Sequence, residues 1–281
     1  MAISDELTRI QTAKADIKAS IEAKGVTVSD STLISGYAAL VDEIQTGGGG
    51  GQAEQDLIDL IERDVTTFNI PDGTTKIGNS AFYNYSGLTS VTIPNSVTSI
   101  GNNAFSSCKG LKSIDIPNSV TSIGTSAFYN CRGLTSVTIG NGITSIGNEA
   151  FSYCSGLTSV TIPNSVTSIG ASAFSYSGLT SIDIPNSVTS IENYAFYYCS
   201  GLTSIDIPNS VTSIGDSAFS YCRGLTSITI QATTPPTLAH VNAFNNTNNC
   251  PIYVPAESVD AYKTATNWSS LASRIQSTPT E

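Results

Sequence analysis

The octapeptide Ile93-Pro94-Asn95-Ser96-Val97-Thr98-Ser99-Ile100 decides the fold, because the chain repeats it. Successive copies are 23 residues apart, except for one step of 22 residues. A fixed period of about 20 to 50 residues is typical of repeat proteins, in which each unit stacks on its neighbours. Identical or degenerate copies start at Ile70, Ile93, Ile116, Ile139, Ile162, Ile184 and Ile207.

Each unit is predicted to form one turn of a solenoid. In residues 88–108, the L-x-x-L-x-L spacing that ends at Ile93 indicates a strand with one apolar face. A turn at Pro94, a short extended piece that ends at Ile100, a tight turn at Gly101 and one inward-facing helical or 3₁₀ turn complete the unit. The few apolar side chains of one unit do not offset the cost of ordering its backbone, so the turns are stable only together.

Two columns of side chains set the register of the predicted turns. One phenylalanine per unit indicates core stacking, and five cysteines each follow a phenylalanine by three residues. Tyr85 takes the cysteine position in the first unit, and the 22-residue unit lacks it, which predicts a local pinch. Stacked equivalents have parallel Cα–Cβ vectors, so reduced thiols are predicted rather than disulfides. The phenylalanines are Phe82, Phe105, Phe128, Phe151, Phe174, Phe196 and Phe219, and the cysteines are Cys108, Cys131, Cys154, Cys199 and Cys222.

The unit resembles the BspA-type (Treponema-type) leucine-rich repeat in its length, its Ile-Pro and Ile-Gly turns, its Ala-Phe pair and the following cysteine. The resemblance covers about residues 65–275. It implies an α/β solenoid, namely a right-handed leucine-rich repeat of 23-residue turns with a parallel β-sheet. Members of that family are mostly surface adhesins and host-binding proteins, so the resemblance implies binding and not catalysis.

The tail of the chain looks like the C-terminal cap of the same family. Residues 252–254 are predicted to pair as a last strand, and residues 256–265 and 269–275 are predicted to cover the exposed sheet edge. Trp268, the only tryptophan, is predicted to plug this cap. Cys250 lies outside the cysteine column.

The predicted domain organisation is uneven. A helical oligomerisation or attachment module is followed by a glycine linker, a capping helix that covers the first strand, the solenoid and the cap. The predicted ranges are residues 1–46 for the helical module, 47–51 for the linker, 52–64 for the capping helix, 65–230 for the solenoid and 231–281 for the cap.

Residues 1–46 predict an α-helical hairpin that precedes the solenoid. Apolar residues recur there with the spacing of a narrow coiled-coil seam. So short a hairpin holds little core of its own, which predicts homo-oligomerisation, with a trimer as one candidate, or attachment to a host structure. The predicted seam residues are Leu7, Ile10, Ile17 and Ile21.

The run from Ala13 to Val28, with Tyr37 and Leu40 downstream, resembles an N-terminal segment of predicted phage tail and other virion proteins. The sequence shows no Sec signal peptide at its start. Because virion proteins reach the outside by lysis, this resemblance implies a virion or extracellular location.

Composition excludes several classes of function. The net charge of −10 argues against a nucleic-acid partner, and no run of about 18 apolar residues predicts a membrane span. A single histidine, His240, leaves little room for imidazole catalysis, and no cofactor fingerprint or metal motif occurs. Asp183 and Asp206 lie in adjacent turns at a glycosidase-like spacing, but a flat face offers no enclosed pocket. No enzyme, cofactor or metal is therefore predicted.

Positions that vary between the near-identical units are the candidate ligand sites. One is a tyrosine column two residues after the phenylalanine, which is either a binding surface or a structural ladder. The other is an outward serine and threonine strand face with three aspartates, which is either a glycan or peptide site or merely a solvated face. The candidate residues are Tyr153, Tyr176, Tyr198 and Tyr221 in the first set and Asp115, Asp183 and Asp206 in the second.

The sequence thus predicts a non-enzymatic adhesion protein, favoured as a phage virion component, in the tail or a fibre, that recognises a host cell. A bacterial cell-surface adhesin of the BspA type and a purely structural virion protein are the alternatives. The predicted partners are a host-surface protein or glycan and other virion proteins.

Overall fold

The computed structural model describes residues 66–70 and 72–279. The chain divides into two compact units, residues 1–69 and 70–281. The predicted helical hairpin, its seam residues Leu7, Ile10, Ile17 and Ile21, the glycine linker and the capping helix lie outside the described residues. In the first unit, Thr67–Asn69 forms a short strand, β1.

The second unit is a solenoid of about nine turns with parallel strands. Its strands, numbered in chain order, are β2 (Lys76–Ile77), β3 (Ser90–Thr92), β4 (Ser99–Ile100), β5 (Ser113–Ile116), β6 (Ser122–Ile123), β7 (Ser136–Ile139), β8 (Ser145–Ile146), β9 (Ser168–Ile169), β10 (Ser190–Ile191), β11 (Ser204–Ile207), β12 (Ser213–Ile214), β13 (Ser227–Ile230), β14 (Thr237–Leu238), β15 (Ile252–Val254) and β16 (Ile275–Ser277). Helix α1 spans Val259–Thr264, and 3₁₀ helices span Val241–Phe244, Ala256–Ser258 and Trp268–Arg274.

Each turn contributes to three hydrogen-bonded sides. Parallel pairs β3-β5-β7 and β11-β13-β15-β16 form the long-strand side, and β2-β4-β6 and β8-β9-β10-β12-β14 form the short-strand side. The third side, here called the aromatic side, is formed by the segment of each solenoid turn that carries its phenylalanine. Its backbone also bonds from turn to turn, for example from Phe105 N to Ala127 O at 2.7 Å. The prediction of a parallel-sheet leucine-rich repeat solenoid is confirmed.

The predicted phenylalanine column is the centre of the core. Neighbouring rings from Phe82 to Phe244 stack with centroids 4.9 to 5.5 Å apart and planes within 9° of parallel. All six cysteines lie in the described part of the chain, and each is a buried thiol. Each thiol of the column donates to a phenylalanine carbonyl of the preceding turn, as Cys131 Sγ does to Phe105 O at 3.1 Å.

The 22-residue turn departs from its neighbours in its strand pairing and in its cysteine position. The long-strand side shortens there to isolated bridges that join Thr161 to Thr138 and to Asp183. Ser177 takes the missing cysteine position, where it is buried and lies 3.3 Å from Cys199 Sγ. A hydroxyl therefore replaces a thiol in the column.

Gly101 serves a different purpose from the predicted one. It is not among the residues with positive φ, so conformational freedom is not what the turn requires. A Cβ at this position would lie 2.7 Å from Asn79 N of the preceding turn. Glycine is needed because two backbones approach closely.

The C-terminal cap differs from the prediction in one element. Ile252–Val254 pairs in parallel with β13, as predicted, but it is not the last strand, because Ile275–Ser277 pairs with its other edge. Trp268 is buried, contacts Phe244 and donates from Nε1 to Pro236 O at 2.7 Å, which confirms it as the plug. Arg274 holds the segment that contains Cys250 by donating to Cys250 O at 2.9 Å.

Candidate functional site

The four predicted tyrosines form a continuous ladder on the aromatic side. Their rings stack in order, with centroids 4.5 Å apart for the first pair and 5.0 Å apart for the next two pairs. Interplanar angles stay between 12° and 18°. Tyr153 is 36% exposed and the other three are half-buried, so part of each side chain is accessible to solvent. The tyrosine ladder consists of Tyr153, Tyr176, Tyr198 and Tyr221.

The backbone of the tyrosine ladder is left-handed. All four tyrosines have φ between 55° and 62°. This region disfavours bulky L-residues and is tolerated best by glycine, asparagine and aspartate. The same position in earlier turns holds Asn84 and Asn130, which suit this backbone better. Tyrosine is therefore present despite the local backbone preference.

Three further tyrosines lie beside the ladder. Tyr197 meets Tyr176 and Tyr194 at angles of 71° and 80°, with centroids 5.5 Å apart in both pairs. Tyr129 meets Tyr153 at 5.3 Å and 59°. The flanking rings thus turn in directions different from those of the stacked ladder.

Burial and neighbouring tyrosine side chains raise the pKa of two tyrosine hydroxyls in this region. Burial raises the pKa of Tyr176, and Tyr197 and Tyr153 act in the same direction. Burial also raises the pKa of Tyr129, with contributions from Tyr153 and Glu149. These two hydroxyls therefore lose their protons only at a pH above the ordinary value for tyrosine.

A groove of about 290 Å³ runs along these rings. Glu149 contributes a carboxylate to it and accepts a hydrogen bond from Ser126 Oγ at 2.8 Å. The lining residues that the structure describes include no lysine and no arginine. They are Tyr129, Glu149, Ser152, Tyr153, Ser172, Ser175, Tyr176, Tyr194 and Tyr197.

The C-terminal end of the ladder carries a cation. The Arg223 guanidinium carbon lies 5.5 Å from the centroid of the Tyr221 ring and 5.8 Å from that of Tyr198. Cations within about 6 Å of an aromatic ring face are attracted by its quadrupole. At this end of the ladder the chain therefore supplies its own cation.

The predicted aspartates lie elsewhere. Asp115, Asp183 and Asp206 are exposed on the long-strand side, and none of them lines the tyrosine groove. Their partners in the described strand pairs are threonines, for example Thr138 opposite Asp115 and Thr229 opposite Asp206. The structure thus separates the two predicted sets of ligand residues.

Most of the groove residues are absent from the sequence-based candidates, and two of them depart from the repeat. Glu149 and Tyr194 both lie two residues before the phenylalanine, at a second left-handed position. Other turns carry serine or asparagine there, as at Ser126 and Ser217. Comparison of this column between turns is the signal that would have identified them.

Four further points about the described residues bear on function: whether they form a metal site, a membrane-spanning helix, a catalytic histidine site or a second cleft. They contain no group of three or more His, Cys, Asp or Glu side chains suited to a metal ion. None of the described helices is both long enough and apolar enough to cross a bilayer. His240 is an exposed cap residue whose Nδ1 accepts from Asn242 N at 3.2 Å. A second cleft, of about 450 Å³ near Pro235 and Pro236, has no charged lining residue among those described.

Comparisons with known proteins agree with this architecture. The sequence pattern described as "BspA type Leucine rich repeat region" matches residues 62–178 and 121–251, which together exceed half of the chain. The T. pallidum leucine-rich repeat protein TpLRR has a similar structure, with 29% identity and a TM-score of 0.52 over 57% of this chain and 78% of that one. No protein with a curated description matches the chain in sequence.

A leucine-rich cell surface protein from Faecalibacterium prausnitzii is also similar, with 28% identity and a TM-score of 0.44. The match covers 78% of this chain and 64% of that one, so it spans less than two thirds of the Faecalibacterium protein.

Proposed function

Because the chain belongs to the BspA-type leucine-rich repeat family, we propose that it is an adhesion protein that binds a host-surface protein through its tyrosine ladder. Proteins of this family are typically cell-surface binding or adhesion proteins, and the leucine-rich repeat solenoid is generally a binding or scaffolding fold. A bacterial cell surface is the setting that the family favours.

The observation that carries this proposal is the ladder of four partly exposed tyrosines on left-handed backbone. Strained residues persist where the surrounding structure holds them and often mark functional sites. Tyrosine also offers a rigid contact area and a hydroxyl at low cost in side-chain entropy. Asparagine at these four positions would suit the backbone better, but it would present neither the rigid aromatic surface nor the hydroxyl.

Replacement of the four ladder tyrosines by asparagine tests the proposal. The loss of each stacked pair costs about 0.5–1.5 kcal/mol, and relief of the left-handed strain offsets this by about 1–2 kcal/mol per residue. We therefore expect the melting temperature to change little while binding disappears. The measurement is binding of the labelled full chain to an array of host-surface proteins and glycans.

Two control variants separate the candidate surfaces. Tyr83→Asn removes an exposed tyrosine outside the ladder and should leave binding intact. Combined replacement of Asp115, Asp183 and Asp206 by asparagine tests the long-strand side. If this triple variant loses binding and the ladder variant keeps it, the binding surface is the long-strand side and the ladder is structural.

A phage virion is the second candidate setting. It is supported by the resemblance of residues 13–28 to segments of virion proteins, which lies outside the described residues. Mass spectrometry of purified virions and of washed cell surfaces from the source distinguishes the two settings. We also propose that residues 1–46 mediate self-association. Light scattering on the full chain and on a chain that lacks residues 1–51 tests this, and two monomers would refute it.

A further inference from the structure

We propose that the tyrosine groove around Glu149 binds the guanidinium group of an arginine side chain displayed by the partner protein. The inference rests on the proposed binding function, and it adds the chemical class of ligand at one part of the ladder. The groove residues that carry it are Glu149, Tyr153, Tyr176, Tyr194 and Tyr197.

The charge of the groove favours a cation. Glu149 supplies a carboxylate, and its hydrogen bond from Ser126 Oγ holds that carboxylate in place. The described lining contains no lysine or arginine. Arg132 lies close enough to lower the pKa of Tyr129, but its Nε donates to Asn130 Oδ1 at 2.8 Å and it is not part of the lining. A carboxylate attracts a cation by its charge, and the neighbouring ring faces attract it by their quadrupoles.

The arrangement of rings favours a planar cation. The ladder rings stack nearly parallel, whereas Tyr197 stands close to perpendicular to Tyr176 and Tyr194. A guanidinium is planar, stacks on aromatic faces and pairs with a carboxylate through two donors. A lysine ammonium is a strongly hydrated point charge, so it neither stacks on a ring face nor pairs with a carboxylate in the same planar, two-donor geometry.

The ladder already holds one guanidinium of its own. Arg223 lies over Tyr198 and Tyr221, four residues after the phenylalanine of its turn. The same position is Ser155 in the turn that carries Tyr153. The turn that carries Tyr129 has Arg132 at this position, outside the groove lining. A guanidinium therefore fits against this ladder, and beside Tyr153 the chain supplies none of its own.

The backbone gives an independent indication. Glu149 has φ 55° and Tyr194 has φ 59°, at a position where the equivalent residues are serine or asparagine. Neither glutamate nor tyrosine is favoured in this region. The two substitutions that depart from the repeat both line the groove, where they add its carboxylate and one of its most exposed rings, since Tyr194 is 41% exposed.

The size of the groove favours one side chain over a larger ligand. Its volume of about 290 Å³ lies at the lower limit of small-molecule pockets, which run from about 300 to 1,000 Å³. The buried pair Ser152 and Ser175, joined at 2.7 Å between their Oγ atoms, is also part of its lining. The groove is therefore suited to a single extended side chain.

Nuclear magnetic resonance of the full chain with ¹³C-labelled tyrosine rings tests the inference. The probe is N-acetyl-arginine methylamide, and the controls are the citrulline compound, which has nearly the same shape without the charge, and the lysine compound. We expect saturable shifts of the groove tyrosines with the arginine compound and binding at least about tenfold weaker with both controls. Glu149→Gln should weaken arginine binding about tenfold, whereas Tyr83→Asn should not change it.

Equal binding of the citrulline compound, or no effect of Glu149→Gln, would overturn the inference. Equal binding of the lysine compound would overturn the assignment to a guanidinium. The proposed function fails separately, if the fourfold asparagine variant still binds the array. An array signal that depends on the ladder but not on Glu149 leaves the proposed function standing and refutes the arginine site.

Discussion

Gly124 lies where the backbones of two successive turns come into contact. A Cβ at this position would lie 2.5 Å from Asn102 N and 2.6 Å from the carbonyl carbon of Gly101. Both atoms belong to the backbone of the preceding turn and cannot move aside as a flexible side chain can. The glycine therefore sets how closely the turns stack.

Replacement of Gly124 by alanine should destabilise the solenoid by about 2–3 kcal/mol, because overpacking against backbone forces a local shift. Gly78→Ala is the matched control, since a Cβ there meets no atom within 4 Å. Urea denaturation followed by circular dichroism measures both variants. Equal stability of the two would show that close stacking is not the reason for the glycine.

Single residues also show where prediction from the sequence stops. The burial of Phe105 and Cys131 was predictable, because equivalent positions in stacked turns share one environment. The left-handed backbone of Glu149 and Tyr153 was not, because neither residue type signals it. The turn-to-turn bonds from Glu149 N to Ala171 O and from Tyr153 N to Ser175 O, both 2.8 Å, accompany that conformation, and they form only in the stacked solenoid.

At the scale of elements, the cap depends on Trp268. Its ring is tilted against Phe244 at 5.7 Å and stands edge-on to Tyr262 at 5.1 Å. It thus extends the phenylalanine stack beyond its last ring and closes the end of the core. The strand β16 then pairs with β15, an edge that the sequence-based prediction expected residues 256–265 and 269–275 to cover.

Trp268→Ala should cost about 3–5 kcal/mol, because it leaves a large cavity and removes the donor to Pro236 O. Trp268→Phe should cost less, since it keeps a ring against Phe244. In a repeat protein each turn contacts only its neighbours, so the loss should concentrate at the C-terminal turns. Hydrogen exchange should show faster exchange in β13 and β15 than in β5. Uniformly faster exchange along the chain would contradict this view of the cap.

The elements of the groove were only partly predictable. The tyrosine ladder follows from its fixed distance to the phenylalanine column. Glu149 and Tyr194 lie four residues from a ladder tyrosine in the chain, and only the winding of each turn shows that they flank the same rings. Sequence spacing therefore located the ladder but not the groove beside it.

At the scale of the whole described solenoid, three hydrogen-bonded sides and one stacked core hold the turns together, and the thiol column links successive turns. Burial raises the pKa of Cys154 from 9.0 to about 12 and raises the pKa of Cys131 well above its ordinary value. Unfolding exposes these thiols to water, where they lose protons near pH 9. Between about pH 9 and 12 the unfolded chain consequently binds fewer protons than the folded one.

The free energy of unfolding should therefore be unaffected by these thiols below about pH 9 and fall as the pH rises above it. The slope is about 1.4 kcal/mol per pH unit for each such thiol. Cys154→Ser is the matched variant, because serine does not titrate in this range and Ser177 already occupies the same position in the 22-residue turn. Urea midpoints from pH 7.5 to 10.5 should decline less steeply in this variant than in the native chain, by the contribution of one thiol. Identical slopes would mean that Cys154 loses its proton as readily in the folded chain as in water, which is incompatible with a closed core.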